Sequence, residues 1–389
     1  MKRIIIGLVI LSVLFCGCGK TRKSEPQKVR QNTYLNGVWI SYIELDKMVS
    51  SGDFYGEFSN VVSNCMDFGI TDIFLHTVPF CDAIYNSEIY GKRYDTSEDI
   101  LKTAIDICHA KSIRLHAWIN PYRVKTGTND KACLKENSPA YKWLNDEKET
   151  NDINVLLTDG GIYLNPASND TRLMVINGIR ELCLGYQIDG IHFDDYFYPT
   201  TDETFDEKSY NLYKSATEYP LSLADFRRAN VNALVSSAYT AIKFINKDII
   251  FSVSPAADKQ KNYETLYADI DLWCRENCVD YIIPQLYFGF SYIDKRFCFE
   301  NILNEWKTLA TKDVKLVVGL GVYKIFTPTK ADGDEWQTRD DVLKKQTAIC
   351  LADEKVSGQV FYSYSSLFSS DERLKKIRDN IKKELKAEK

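Results

Sequence analysis

The sequence predicts an α/β chain wound as a (β/α)8 TIM barrel, with long βα loops on its carboxyl-terminal face. Three observations carry this expectation. Short runs rich in apolar and β-branched residues recur eight times along the 389 residues, each followed by a segment with helical apolar spacing. The runs are almost continuously apolar, as strands of a parallel sheet covered on both faces are. The long connections 79–96, 120–169 and 195–221 all follow strands, and so gather at the barrel end that carries chemistry. A doubly wound open sheet is the rival, but it would want a glycine-rich first turn, and the first strand runs into Leu45-Asp46-Lys47-Met48 instead.

The expected strands are 37–44, 71–78, 113–119, 188–194, 249–254, 280–287, 315–322 and 358–364. The expected helices are 56–68, 97–110, 170–185, 222–246, 263–277, 299–311, 339–352 and 371–387. Leu101, Ile105 and Cys108 share one helical face, and Leu173, Ile176, Ile179 and Leu182 recur at helical spacing in another. Asn169-Asp170 and Ser222 are caps by residue type.

Ahead of the barrel stands a leader. Lys2 and Arg3 precede the apolar stretch Ile4 to Phe15, and Phe15-Cys16-Gly17-Cys18 resembles a bacterial lipobox, with Cys18 as the lipidated residue. Residues 1–18 therefore read as a lipoprotein signal peptide, 19–34 as a polar tether and 35–389 as the catalytic barrel. The expected location is the bacterial cell envelope, with the chain lipid-anchored to a membrane and facing the periplasm or exterior. A net charge of −5 without a basic run argues against nucleic-acid binding. Nine cysteines follow Cys18; most stand in apolar contexts, and Cys274 with Cys278 is a candidate disulfide.

The most informative segment is Asp189-Gly-Ile-His-Phe-Asp-Asp-Tyr-Phe-Tyr-Pro199. A strand ends there in two adjacent carboxylates, Asp194 and Asp195, and an aromatic loop follows. A solvated turn is the plain alternative for a bare acidic pair. His192 on the same strand face and the aromatics Tyr196 and Tyr198 favour a site. A carboxylate pair aimed at one bond is the equipment of glycoside hydrolysis. Other polar groups fall at strand ends: Trp39, His116, Trp118, Asn120, Tyr122, Arg123, Gln285, Tyr287 and Tyr364, with His76 and Tyr362 beside them and Asn165 on the long third loop. His116 reads equally well as a core histidine. HExxH, Walker A, GxSxG and CxxC motifs are missing from the chain, which leaves metalloprotease, NTPase and serine-hydrolase chemistry without support; the chain has only four histidines, spread apart, so no metal and no cofactor is expected.

The segments HAWINPYRV, YLNPASNDTR, YQIDGIHFDDYFYP, DFRRANVNALV, DYIIPQLYF and GQVFYSYSSL, in this order, resemble glycosyl hydrolase-like family ten. The likeness spans about Gly37 to Leu367. It implies an exported glycosidase acting on peptidoglycan glycan strands lacking stem peptides. The chain departs from the family at Asn165, where Asp is common, at Phe288, where Trp is common, and in Ser254-Pro-Ala-Ala-Asp258.

Two mechanisms follow for the pair. Asp194 is the nucleophile by analogy with the α-amylase clan, with Asp195, Glu44 or Asp258 as acid. Alternatively the substrate's 2-acetamido group attacks, with Asp194 polarising it and Asp195 protonating the leaving oxygen. The second explains both the adjacent pair and the missing acid on the fifth strand. Other readings are a non-catalytic glycan-binding lipoprotein and a metal-dependent polysaccharide deacetylase.

Overall fold

The eight apolar runs pair edge to edge into a closed ring in the computed structural model, which describes residues 34–148 and 153–387. The strands are β1 (Leu35–Ile40), β2 (Asp72–Val78), β3 (Arg114–Ile119), β4 (Gly190–Phe193), β5 (Ile250–Val253), β6 (Tyr281–Ile282), β7 (Lys315–Gly321) and β8 (Val356–Tyr362). Each pairs in parallel with its neighbours in sequence, and β8 closes on β1. Cys18, the leader and all of the tether but Tyr34 lie outside the described residues.

Alternation along each strand divides the core in two. Val38, Ile73, Leu115, Ile191 and Phe251 pack outward with helix residues such as Phe58, Leu101, Val175 and Ile179. Trp39, Phe74, Trp118, Val317 and Val360 fill the barrel interior. Each such side chain removed from water stabilises the fold by roughly 1.5–3 kcal/mol.

Glycines make room where large rings cross the interior. A Cβ on Gly190 would stand 2.1 Å from the His116 ring. One on Gly319 would stand 3.1 Å from Trp39, and one on Gly321 would stand 2.9 Å from Tyr287.

Several element ends differ from the sequence expectation, for local reasons. The first strand stops at Ile40, because Ser41 caps a helix over Tyr42–Ser50 and Glu44 completes the capping box. The β6 ladder ends before Pro284, which has no N–H to give, although Gln285 still bridges Ala256 and Gly319. The fifth helical segment is two helices, Lys259–Glu264 and Ile270–Arg275, separated at Tyr267, whose φ is 54°. Ser168, not Asn169 or Asp170, caps the helix Asn169–Gly185. Cys274 and Cys278 are both free thiols, because Cys278 lies beyond the helix end, past Asn277 at φ 53°.

The long loops carry structure of their own. The loop after β3 folds a three-stranded antiparallel sheet from Arg123–Thr126, Val155–Thr158 and Gly161–Leu164. The loop after β4 is stapled by the fully buried pair Asp206–Arg227, with Tyr198 donating to Asp206 at 3.1 Å. That staple anchors the segment following Asp195 and Tyr196.

Candidate active site

Inward-facing polar groups fill the barrel interior below its carboxyl-terminal end. The lowest polar layer sets Asp72 on β2 against Arg114 and His116 on β3, with His116 Nε2 2.8 Å from Asp72. Burial alone would raise the Asp72 carboxyl, but His116 and Arg114 hold it below its ordinary range. His116 also stacks on Phe74 at 4.4 Å. It is a core residue and not the substrate contact the sequence allowed.

The next layer holds His192, which also fails to reach the cavity. Trp39 Nε1 donates to its Nε2 at 3.1 Å, so the ring proton sits on Nδ1 and faces Ser252 Oγ at 2.8 Å. Burial drives its pKa well down, with His116 adding to the effect, and keeps it neutral. Its role is to hold the Trp39 indole.

Above this layer a cavity of about 320 Å³ opens at the carboxyl ends of the strands. Trp39, Trp118, Arg123, Gln285 and Tyr287 line it, as the sequence places them, together with Tyr196 from the aromatic loop. Among the described residues, Asp194 and Asp195 are the only carboxylates in its wall. Glu44 is held by Ser41 and by the Ser365 backbone N–H at 2.6 Å. Asp258 caps the Lys259–Glu264 helix and pairs with Arg296. Neither is available as the alternative acid.

The two carboxylates differ in surroundings. Asp194 is buried and accepts from Trp118 Nε1 at 3.0 Å, Asn120 Nδ2 at 3.1 Å and the Tyr196 backbone N–H at 3.3 Å. Asn120 Oδ1 accepts the Arg123 backbone N–H at 3.0 Å, which turns its amide nitrogen toward Asp194. Asn120 thus stands behind the carboxylate rather than facing substrate. Burial, with Asp195 adding, pushes the Asp194 pKa up to about 6 despite the opposing Arg123 charge and the Trp118 and Tyr196 hydrogen bonds. Asp195 is less enclosed and accepts from Gln285 Nε2 at 3.1 Å. Burial raises its pKa too, against the Gln285 hydrogen bond.

Aromatic rings form the walls. Tyr287 and Tyr362 stack at 5.8 Å, and Tyr323 meets both edge-on. Arg123 donates from Nε to the Pro79 carbonyl, and its guanidinium lies 4.8 Å from the Tyr196 ring and 4.6 Å from Phe80. His76 lies flat on Trp118 at 3.7 Å.

Four sequence candidates stand elsewhere. Tyr122 is buried in the helix-side core. Asn165 is fully buried, donating to the Ile153 carbonyl and Ser209 Oγ at 2.8 Å, and so fastens the long third loop. Tyr198 is spent on Asp206. Tyr364 opens a short helix, stacks on Phe368 and accepts from Asn64. Tyr42 and Tyr323 line the cavity unanticipated, although each stands two residues past a strand end, close to the positions that marked the others.

Among the described residues no three His, Cys, Asp or Glu side chains gather to hold a metal. A carboxylate pair at the carboxyl end of a closed parallel barrel, walled by aromatic rings, defines a glycoside hydrolase. The chain belongs to the glycosyl hydrolase-like 10 family, whose model matches residues 35–338. It is 29% identical to the glycosyl hydrolase YngK of Bacillus subtilis, over 94% of this chain and 72% of that one. It is 27% identical to the glycosyl hydrolase DigH of Escherichia coli K12, over 91% of each. Its fold superposes on the PgaB (BpsB) glycoside hydrolase domain of Bordetella bronchiseptica with a TM-score of 0.61, at 11% identity, over 90% of this chain and 99% of that domain.

Proposed function

We propose that the protein hydrolyses glycosidic bonds of an N-acetylated cell-wall glycan, namely peptidoglycan strands lacking stem peptides, with Asp194 and Asp195 as the catalytic pair. The observation that carries this reading is that these two are the only carboxylates lining the cavity among the described residues. A mechanism that needs a third acid has none to call on there.

The division of labour follows from the surroundings. Asp194 has three donors for its ionised form and, although burial lifts its pKa to about 6, it acts ionised above that pH. It accepts the acetamido N–H and turns the carbonyl oxygen onto the anomeric carbon. That C–O bond forms as the glycosidic bond breaks, and Asp195 delivers its proton to the leaving oxygen. Water then opens the cyclic intermediate, with Asp195 taking the proton back. Tyr196, Tyr287 and Trp118 give ring faces for sugars, and Gln285 keeps Asp195 aimed.

In this reading Cys18 carries the lipid, and the enzyme works on the wall from an envelope membrane. Two experiments test the proposal. Mass spectrometry of products from purified peptidoglycan, with and without stem peptides, should show cleavage of the bare strands. Membrane fractionation of a Cys18→Ser variant should find it released or unprocessed. Intact bare strands after prolonged incubation would reject the substrate, and correct processing with full membrane retention would reject the anchor.

A further inference from the structure

A second cavity, of about 510 Å³, adjoins the first. It too lies at the carboxyl end of the barrel, and it is built by the loops after β1, β2 and β3. Tyr42 lines both cavities. Beside it Phe80 packs edge-on at 4.9 Å. Arg93 lies over the Tyr42 and Phe80 rings at 5.4 and 5.7 Å, and Arg123 lies over the same two rings at 5.8 and 4.6 Å. The border between the two cavities is therefore built of the Tyr42 and Phe80 rings and the two guanidinium groups over them.

The second cavity is rigidly framed. Arg93 is ion-paired to Asp46 and Asp82 at 2.9 and 2.8 Å. Tyr94 donates to Asp46 at 2.8 Å, and Lys135 reaches the backbone carbonyl of Arg93 at 2.7 Å. Half-buried rings of Tyr42, Phe80 and Tyr94 with charged hydrogen-bonding groups between them suit an amphipathic sugar, which offers an apolar ring face and polar edges. Among the described residues lining it, Arg93, Lys125 and Lys135 face two carboxylates, Asp46 and Asp82, so a strand bearing carboxylates meets no net like charge from them.

We propose that this second cavity is a distal saccharide subsite and that the enzyme cleaves within strands. The catalytic pair then lies between two binding regions: the Tyr287, Tyr323 and Tyr362 cluster on the β6–β8 side, and the second cavity on the β1–β3 side. A strand held on both sides is cut internally, and binding energy from remote sugars is spent on the reacting bond. The inference rests on the glycan-hydrolase reading above.

Chain-length dependence tests it. With bare strands of defined length, kcat/KM should rise about tenfold or more from a tetrasaccharide to longer strands. Early products should be internal fragments. Cys133 is an exposed thiol on the lip of the second cavity. Cys133→Trp should fill that cavity and cut the long-to-short ratio of kcat/KM by about tenfold, and Tyr94→Ala should lower the same ratio. A ratio is immune to a general loss of folded enzyme. Wild-type kcat/KM that does not vary with length, or variants that keep the wild-type ratio, would overturn the subsite. Failure to cut any strand would instead count against the glycan-hydrolase reading itself.

Discussion

The indole N–H of Trp118 meets Asp194 Oδ2 at 3.0 Å, so the carboxylate at the end of β4 is held by the strand beside it. The same indole is fixed from behind by the flat face of His76. The acid is thereby set against packed aromatic surface and not on a free loop. Burial is what raises its pKa, and the donors and Arg123 are what limit the rise.

The first prediction is a pH profile. In the proposed mechanism Asp194 works ionised, so kcat/KM should fall on the acid side with a midpoint near pH 6. Arg123 and the Trp118 N–H both favour the charged form. Arg123→Gln and Trp118→Phe should each move the acid limb to higher pH. Limbs that stay in place in both variants would show that Asp194 is not the group titrating there.

The second prediction separates the partner. Asp195 acts protonated in the first step, and Gln285 lowers its pKa by hydrogen bonding to the charged form. Gln285→Leu should move the alkaline limb of kcat/KM to higher pH while leaving the acid limb alone. A shift of the acid limb instead would reverse the roles of the two aspartates.

The third prediction is the size of each loss. Asp194→Asn and Asp195→Asn should each lower turnover by about 10²–10⁴-fold, the usual range for removing a positioned acid or base. Circular dichroism should show the barrel intact. Near-normal turnover in either variant would send the search to another group.

Much of this site was legible in the sequence because a strand's period of two is unforgiving. Once Phe193 is known to face the helices, His192 and Asp194 must face inward. Depth along the strand is what the period cannot supply. His116 and His192 share the inward face with Trp118 and Asp194, yet neither lines the cavity, because Asp72 and Phe74 hold the first and Trp39 and Ser252 hold the second. Tyr362 and Tyr364 show the same limit at a strand end, since the chain turns into a helix between them. Asn165 and Tyr198 were misread because loop residues are fastened by partners far away in sequence, here Ser209 and Asp206.

The fourth prediction concerns the loop behind Asp195. Asp206 and Arg227 are both fully buried, so removing one partner strands a charge. Arg227→Met alone should destabilise the protein by about 3–5 kcal/mol. The double variant Arg227→Met with Asp206→Leu should recover much of that loss in urea unfolding. A single variant as stable as wild type would mean that the pair does not hold the loop.

The last prediction decides between the two routes to the same product. Substrate assistance passes through a cyclic species made from the acetamido carbonyl. A thiazoline analogue of N-acetylglucosamine mimics that species and should bind far more tightly than the sugar, because transition-state-like ligands are preferentially bound. De-N-acetylated strands should resist hydrolysis. If Asp194 attacks directly, a 2-fluoro glycoside should leave a covalent adduct on the Asp194 peptide, and thiazoline should bind no better than the sugar. The cavity wall favours the first outcome. The second acid of a direct displacement would have to be Asp195, the immediate chain neighbour of the nucleophile, whereas substrate assistance asks only that the two carboxylates serve different atoms of one sugar. An adduct mapped to Asp194, together with indifference to the thiazoline, would reject the assisted route while leaving the hydrolase intact.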